Sequence, residues 1–139
     1  GDNTMNVISV MTLKNRSEYL SAAHTLETAA DRLHDAGGAL PVVDVSGEYL
    51  GIVNERMLLW ALYSGEVAPD SLLVEISDGF DLIKTGAAAE CEEITDLACK
   101  YGVLPVTDDR GMFIGTVLAS DLPCAENTRS GAPDEKNKR

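Results

Sequence analysis

The side chains that most often do chemistry are few in this chain, and their spacing suits little of it. Cys91, Cys99 and Cys124 are an odd three with no Cys-x-x-Cys pair, which indicates neither a disulfide framework nor a zinc ribbon. We read them as reduced thiols in a cytoplasmic protein, with at least one of Cys91 and Cys99 packing inside the helix they share. His24 and His34 have no ligand partner at metal spacing and read as ordinary histidines. No Gly-x-Ser-x-Gly, His-Glu-x-x-His or P-loop pattern occurs. With no nucleophile set beside a base, a binding module is expected rather than an enzyme, with no catalytic cofactor and no metal.

Charge narrows the partners. The 139 residues hold 11 Lys plus Arg against 23 Asp plus Glu, a formal net charge of −12. Nucleic acid is bound by neutralising phosphates, and this surface opposes that. An anionic membrane face is disfavoured for the same reason. No apolar run approaches the roughly 20 residues of a membrane span, so direct insertion is not expected. A small anion is still admissible, because screening over about 8 Å leaves local donors in charge of a pocket.

The elements that would position a ligand come in duplicate. Leu40-Pro41-Val42-Val43-Asp44 recurs as Leu104-Pro105-Val106-Thr107-Asp108, an offset of 64 (105 − 41). In that ungapped register Gly47 meets Gly111, Gly51 meets Gly115, Leu58 meets Leu122, Gly38 meets Gly102 and Leu33 meets Leu97. Two copies of one supersecondary unit follow. In the first, Glu18–Leu20 reads as a strand and Thr25–Ala36 as a helix capped by Thr25 and stopped by Gly37-Gly38. Leu40–Asp44 and Tyr49–Val53 form a hairpin, and Glu55–Tyr63 a helix with Asn54 as its cap. The second runs through Leu82–Lys84, Glu90–Lys100, Leu104–Thr107, Met112–Val117 and Ala119–Leu122. Each is β-α-β-β-α. We place the copies at 7–64 and 72–124, with a disordered polar tail at 125–139.

Leu40–Val53 and Leu104–Asp121, followed each time by a helix, resemble the core of the cystathionine-β-synthase-type (CBS) domain; Val10-Met11-Thr12 resembles its opening stretch. The resemblance covers about residues 7–123 and takes the form of a tandem pair, the Bateman module. It implies an α/β fold of two repeats packed sheet to sheet with pseudo-two-fold symmetry. It further implies a homodimer that binds an adenosine-containing ligand between the repeats and regulates an enzyme or transporter.

The resemblance also assigns residues. The family pattern Gly-x-x-Thr-x-x-Asp falls on Gly115–Asp121, so Asp121 takes the ribose hydroxyls, and Leu118 stands in place of the Thr. Ser120 donates to ribose or phosphate. Thr12 matches the adenine-contacting Thr, Ser17 lies where backbone contacts to the base occur, and Gly37 and Gly38 supply a turn along it. An ionised carboxylate suits a ribose diol. In the first copy Met57 stands where the Asp belongs, Asn54 where the Thr belongs, and Ile76 takes Thr12's place at the offset of 64 (12 + 64). One nucleotide per chain is therefore expected, AMP or ADP before ATP because few basic residues are present to hold a long phosphate tail.

Plainer roles compete. Asp121 also suits a helix cap, Thr12 a turn, and one of Gly37 and Gly38 a helix end. Leu59, Trp60 and Tyr63 read as a core or dimer face. Glu90, Glu92, Glu93 and Asp96 read as a solvated helix face or as a collector of Mg²⁺ in a transporter fragment. A dimerisation module with decayed ligand sites is the remaining alternative.

Overall fold

The structure is a computed structural model that describes residues 5–124; the expected tail at 125–139 lies outside them. The order is α1 (Val7–Val10), β1 (Thr12–Leu13), β2 (Leu20–Ser21), α2 (Leu26–Ala36), β3 (Leu40–Val43), β4 (Tyr49–Val53), α3 (Glu55–Ser64), α4 (Cys91–Tyr101), β5 (Val103–Thr107) and β6 (Phe113–Leu118). Short 3₁₀ segments lie at Lys14–Arg16, Leu73–Gly79 and Ala119–Asp121.

Local chemistry sets the helix ends. The Thr25 side chain accepts from the Thr28 N–H and the Asn54 side chain from the Met57 N–H, satisfying donors that a first turn leaves free. Gly37 and Gly102 end α2 and α4 at φ 74° and 86°, which a side chain would resist. The apolar stripe Leu26, Ala29 and Leu33 of α2 packs on the first sheet, and Ile94 and Ala98 of α4 pack on the second.

The sheets run β2-β3-β4 and β1-β6-β5. Neither copy builds its sheet alone. β1 belongs by sequence to the first copy yet pairs antiparallel with β6 of the second, Thr12 opposite Thr116. In return, Asp81 of the second copy bridges Ile52 in the first copy's sheet, their backbones bonded at 2.7 and 3.2 Å. A glycine sits under each crossing. A Cβ at Gly51 would lie 2.5 Å from Phe80 Cβ, and one at Gly115 would strike the Thr12 carbonyl oxygen and lie 2.5 Å from Met11 Cε. Between the sheets Val43, Tyr49 and Phe113 form a small shared core, with the Tyr19 and Phe113 rings 5.1 Å apart. The two hairpin turns also meet: the Tyr49 N–H donates to the Gly111 carbonyl at 3.0 Å and the Phe113 N–H to the Gly47 carbonyl at 2.9 Å.

Several expectations need correction. The strand read at Glu18–Leu20 is Leu20–Ser21, and that at Leu82–Lys84 is replaced by bridges at Asp81 and Thr85. Ala119–Asp121 is a 3₁₀ turn rather than an α-helix. The three cysteines are not all reduced thiols. Cys99 and Cys124 are disulfide-bonded with Cα atoms 5.6 Å apart, and Cys91 is the free one. Packing of the turn after β6 against α4 brings the pair within bridging range. The cytoplasmic location loses the support it drew from free thiols. No helix among the described residues is long and apolar enough to cross a membrane.

Candidate functional site

Thr12 and Ser17 meet at the second sheet. β1 delivers Thr12 to β6 opposite Thr116, and the chain then turns through Lys14–Arg16. Ser17 closes that loop. Its Oγ lies 3.0 Å from the Thr12 carbonyl, 2.9 Å from the Leu13 carbonyl and 3.0 Å from Thr116 Oγ1. Its N–H donates to the Lys14 carbonyl at 3.1 Å. Both donors of Ser17 are thus committed within the loop. Thr116, buried to 2% exposure, is a member of this cluster that sequence reasoning missed; its place between Gly115 and Val117 in an apolar strand gave it the look of filler.

Ser120 and Asp121 lie on the turn that follows β6. The Ala119 N–H donates to the Gly102 carbonyl at 2.9 Å, which sets the turn against the end of α4, and the Leu122 N–H donates back to Ala119 at 3.0 Å. Leu122 and Ala119 pack into the same cluster as Val7, Val10 and Met11. The closing turn of the second copy and the opening segment of the first therefore share one wall.

Gly37 and Gly38 are not brought to that wall. They line a separate hollow of about 410 Å³ with Leu33, His34, Asn54 and Arg56. The reason is that α2 packs on α3 within its own copy, so its terminal turn faces the start of α3.

The corresponding cleft of the first copy also differs from expectation. Thr116 and Ile52 are 64 apart, and their crossing partners are Thr12 and Asp81, which are 69 apart (81 − 12). Asp81, not Ile76, is the counterpart of Thr12. The ungapped offset fails upstream of the hairpins because the loops differ in length. β1 and β2 hold Thr12 and Leu20 eight residues apart, whereas Asp81 and Thr85 are four apart. Met57, Trp60, Val67, Ile76 and Phe80 line a hollow of about 380 Å³ there. Met57 stands there at the position that Asp121 holds in the second copy, at the offset of 64 (121 − 57).

Electrostatics separate structural carboxylates from free ones. Asp44 and Asp108 occupy matching turn positions. Hydrogen bonds hold both below the usual carboxyl range, chiefly from the Ser46 hydroxyl to Asp44 and from the Met112 N–H to Asp108. Burial, then the nearby Asp81, pushes the Tyr49 phenol upward, and its hydroxyl donates to the Ile83 carbonyl at 2.5 Å. Burial, then Arg32, lowers His24. In the acidic stretch Glu93 accepts from the Glu90 N–H at 3.2 Å, a helix-start bond. Among the described residues no three His, Cys, Asp or Glu side chains are grouped to hold a metal ion.

The CBS domain family's sequence profile matches residues 8–64. Inosine-5'-monophosphate dehydrogenase of Nitrosopumilus maritimus is 25% identical over 122 residues, covering 86% of this chain and 24% of that one. An uncharacterised protein of Methanopyrus kandleri is 28% identical over 105 residues, covering 73% and 54%. The chain thus spans about a quarter and about half of these two relatives. The crystal structure of CbpB in complex with c-di-AMP superposes with a TM-score of 0.74 at 17% identity, over 89% of this chain and 85% of that one. That of CBSX2 in complex with AMP gives 0.65 at 20%, over 88% and 96%. Profile, duplicated sheets and superpositions agree: the chain has a CBS-domain fold of the Bateman-module type, consistent with two tandem repeats.

Proposed function

We propose that this chain is a regulatory module sensing an adenine nucleotide, AMP or ADP before ATP, in the cleft bordered by Thr12, Ser17, Ser120 and Asp121. Modules of this kind are characteristically non-catalytic regulatory domains. The observation that carries the reading is the antiparallel register of β1 on β6. Thr12 lies opposite Thr116, five residues before Asp121, and this pairing of a first-copy strand with the strand that leads into Asp121 supports a site shared by the two copies. Asp121 accepts the ribose hydroxyls and Ser120 donates beside it. The Ser17 hydroxyl and N–H are already used, so the base is met by the loop's carbonyls. Lys14 and Arg16 are the nearby cations on that loop, enough for a short phosphate. The complexes of similar fold hold c-di-AMP and AMP, both adenine nucleotides. Gly37 and Gly38 stay outside this cleft. Residues 7–64 and 72–124 are the two copies, and an enzyme or a transporter is the regulated partner.

Calorimetry against AMP, ADP, ATP and Mg²⁺ tests the reading. One adenine nucleotide per chain is expected. No binding of any adenosine compound at millimolar concentration removes it.

A second reading, self-association, has its own observation. Leu59, Trp60 and Tyr63 on α3 are 53%, 70% and 83% exposed and adjacent. An apolar strip of this kind on one helix marks an interaction surface, and a second copy supplies the same strip.

A further inference from the structure

We propose that the Cys99–Cys124 pair is a reversible thiol–disulfide modification site that controls the Asp121 turn. The proposal rests on the adenine-nucleotide reading only for its effect on affinity. Asp121 stands three residues before Cys124, and the disulfide ties the segment carrying both to α4. The first copy has no such bond. Gly37 and Gly102 end their helices in the same way, which sets the α2–α4 offset at 65 (102 − 37) and makes His34 the counterpart of Cys99. Trp60 is the counterpart of Cys124 at the offset of 64 (124 − 60). There a long helix, α3, packs on α2, and His34 pairs with Glu55 at 3.6 Å. In the second copy the covalent bond makes that join.

The chemistry is thiol–disulfide exchange with a dithiol reductant, small or protein-borne. One of its thiolates attacks Cys99 Sγ, on the half-buried residue of the pair, and the bond to Cys124 breaks. Cys124 leaves as a thiolate and takes a proton. The reductant's second thiol then displaces Cys99, so the dithiol is oxidised to its own disulfide and both cysteines end as thiols. The Cys124 sulfur lies 3.2 Å from the Ala119 carbonyl, which accepts the new S–H. That hydrogen bond is internal to the 119–124 segment and does not tie it to α4. After reduction the Ala119 bond to Gly102 and the packing of Leu122 are left to hold the turn. Cys91 stays free in both states, and burial raises its thiol, which makes it a poor competitor.

Amide hydrogen exchange on the full chain, oxidised and then reduced with dithiothreitol, tests the tie without any ligand. Exchange at Ala119 and Leu122 is expected to rise about tenfold or more on reduction, while the β3–β4 amides hold. Cys124→Ser is expected to show the fast rates in both states, and Cys91→Ser to behave as wild type. Equal rates in oxidised and reduced wild type overturn the proposal. So does finding three alkylatable thiols after air oxidation. AMP titration of the two redox states is read separately, with affinity expected to fall about tenfold on reduction. A redox response in exchange with no AMP binding in either state sustains the tie and removes the nucleotide reading. AMP binding that ignores redox state overturns the control.

Discussion

The hydroxyls of Ser17 and Thr116 meet at 3.0 Å across 99 positions of sequence. The contact locks the first copy's opening loop onto the second copy's sheet, and it is buried on the Thr116 side. Ser17→Ala strands the Thr116 hydroxyl and frees two loop carbonyls. A loss of about 1–3 kcal/mol is expected, since an orphaned buried polar group costs that much. Thr116→Val leaves Ser17 its two carbonyl acceptors and costs less. Urea denaturation of the two single variants and the double variant checks this, with the double expected below the sum of the singles.

Gly115→Ala places a methyl against the Thr12 carbonyl, which must shift. The expected cost is about 1–3 kcal/mol, with β1 displaced and nucleotide affinity reduced. Gly38→Ala meets nothing within 4 Å and is expected to be neutral. Gly37→Ala meets nothing either but adopts φ 74°, and costs about 1–2 kcal/mol. Thermal melts of the three variants give the order.

If Asp121 holds the ribose as proposed, Asp121→Ala is expected to weaken AMP binding about tenfold or more through the loss of charge-assisted hydrogen bonds. Met57→Ala, in the apolar counterpart cleft, is expected to cost about 2 kcal/mol of packing and leave affinity intact. Side-by-side calorimetry and melting decide between the clefts. The reverse pattern would move the nucleotide to the first copy's cleft.

Asp44 and Asp108 are held below the ordinary carboxyl value of 3.8 by the turns they brace. A depressed folded-state value stabilises fully above the unfolded value and is lost as pH falls through the folded one. Wild type is therefore expected to lose stability as the pH falls below 3.8. The Asp44→Asn, Asp108→Asn variant is expected to show a flatter acid limb, and melting temperature against pH reads it directly.

Trp60 and Tyr63 stack at 5.8 Å on the outside of α3. Trp60→Ser with Tyr63→Ser is expected to raise solubility and yield a monomer by light scattering, where wild type at tens of micromolar gives a dimer. A wild-type mass of 14.8 kDa removes the self-association reading.

Local signals were readable wherever one residue does the work. Thr25 and Asn54 cap their helices as their types suggest, and both hairpins fall where Gly47 and Gly111 turn the chain. What escaped depends on distance. The true offset between copies is 64 at the hairpins, 65 at the helix ends (102 − 37) and 69 at the crossing segments (81 − 12). A single sliding register therefore assigned Ile76 the place that belongs to Asp81. Cys99 and Cys124 are 25 residues apart, and only the fold of the chain between them brings them together. Thr12 and Ser17 meet Thr116 at the second sheet, whereas Gly37 and Gly38 follow α2 to another face.

The crossings over Gly51 and Gly115 make the two copies mutual lodgers, each lending its opening segment to the other's sheet. A cut through the loop between them yields two fragments that each lack an edge they cannot supply and carry one they cannot use. Mixed together, such fragments are complementary in the manner of a split protein, and each has reason to reassemble with the other.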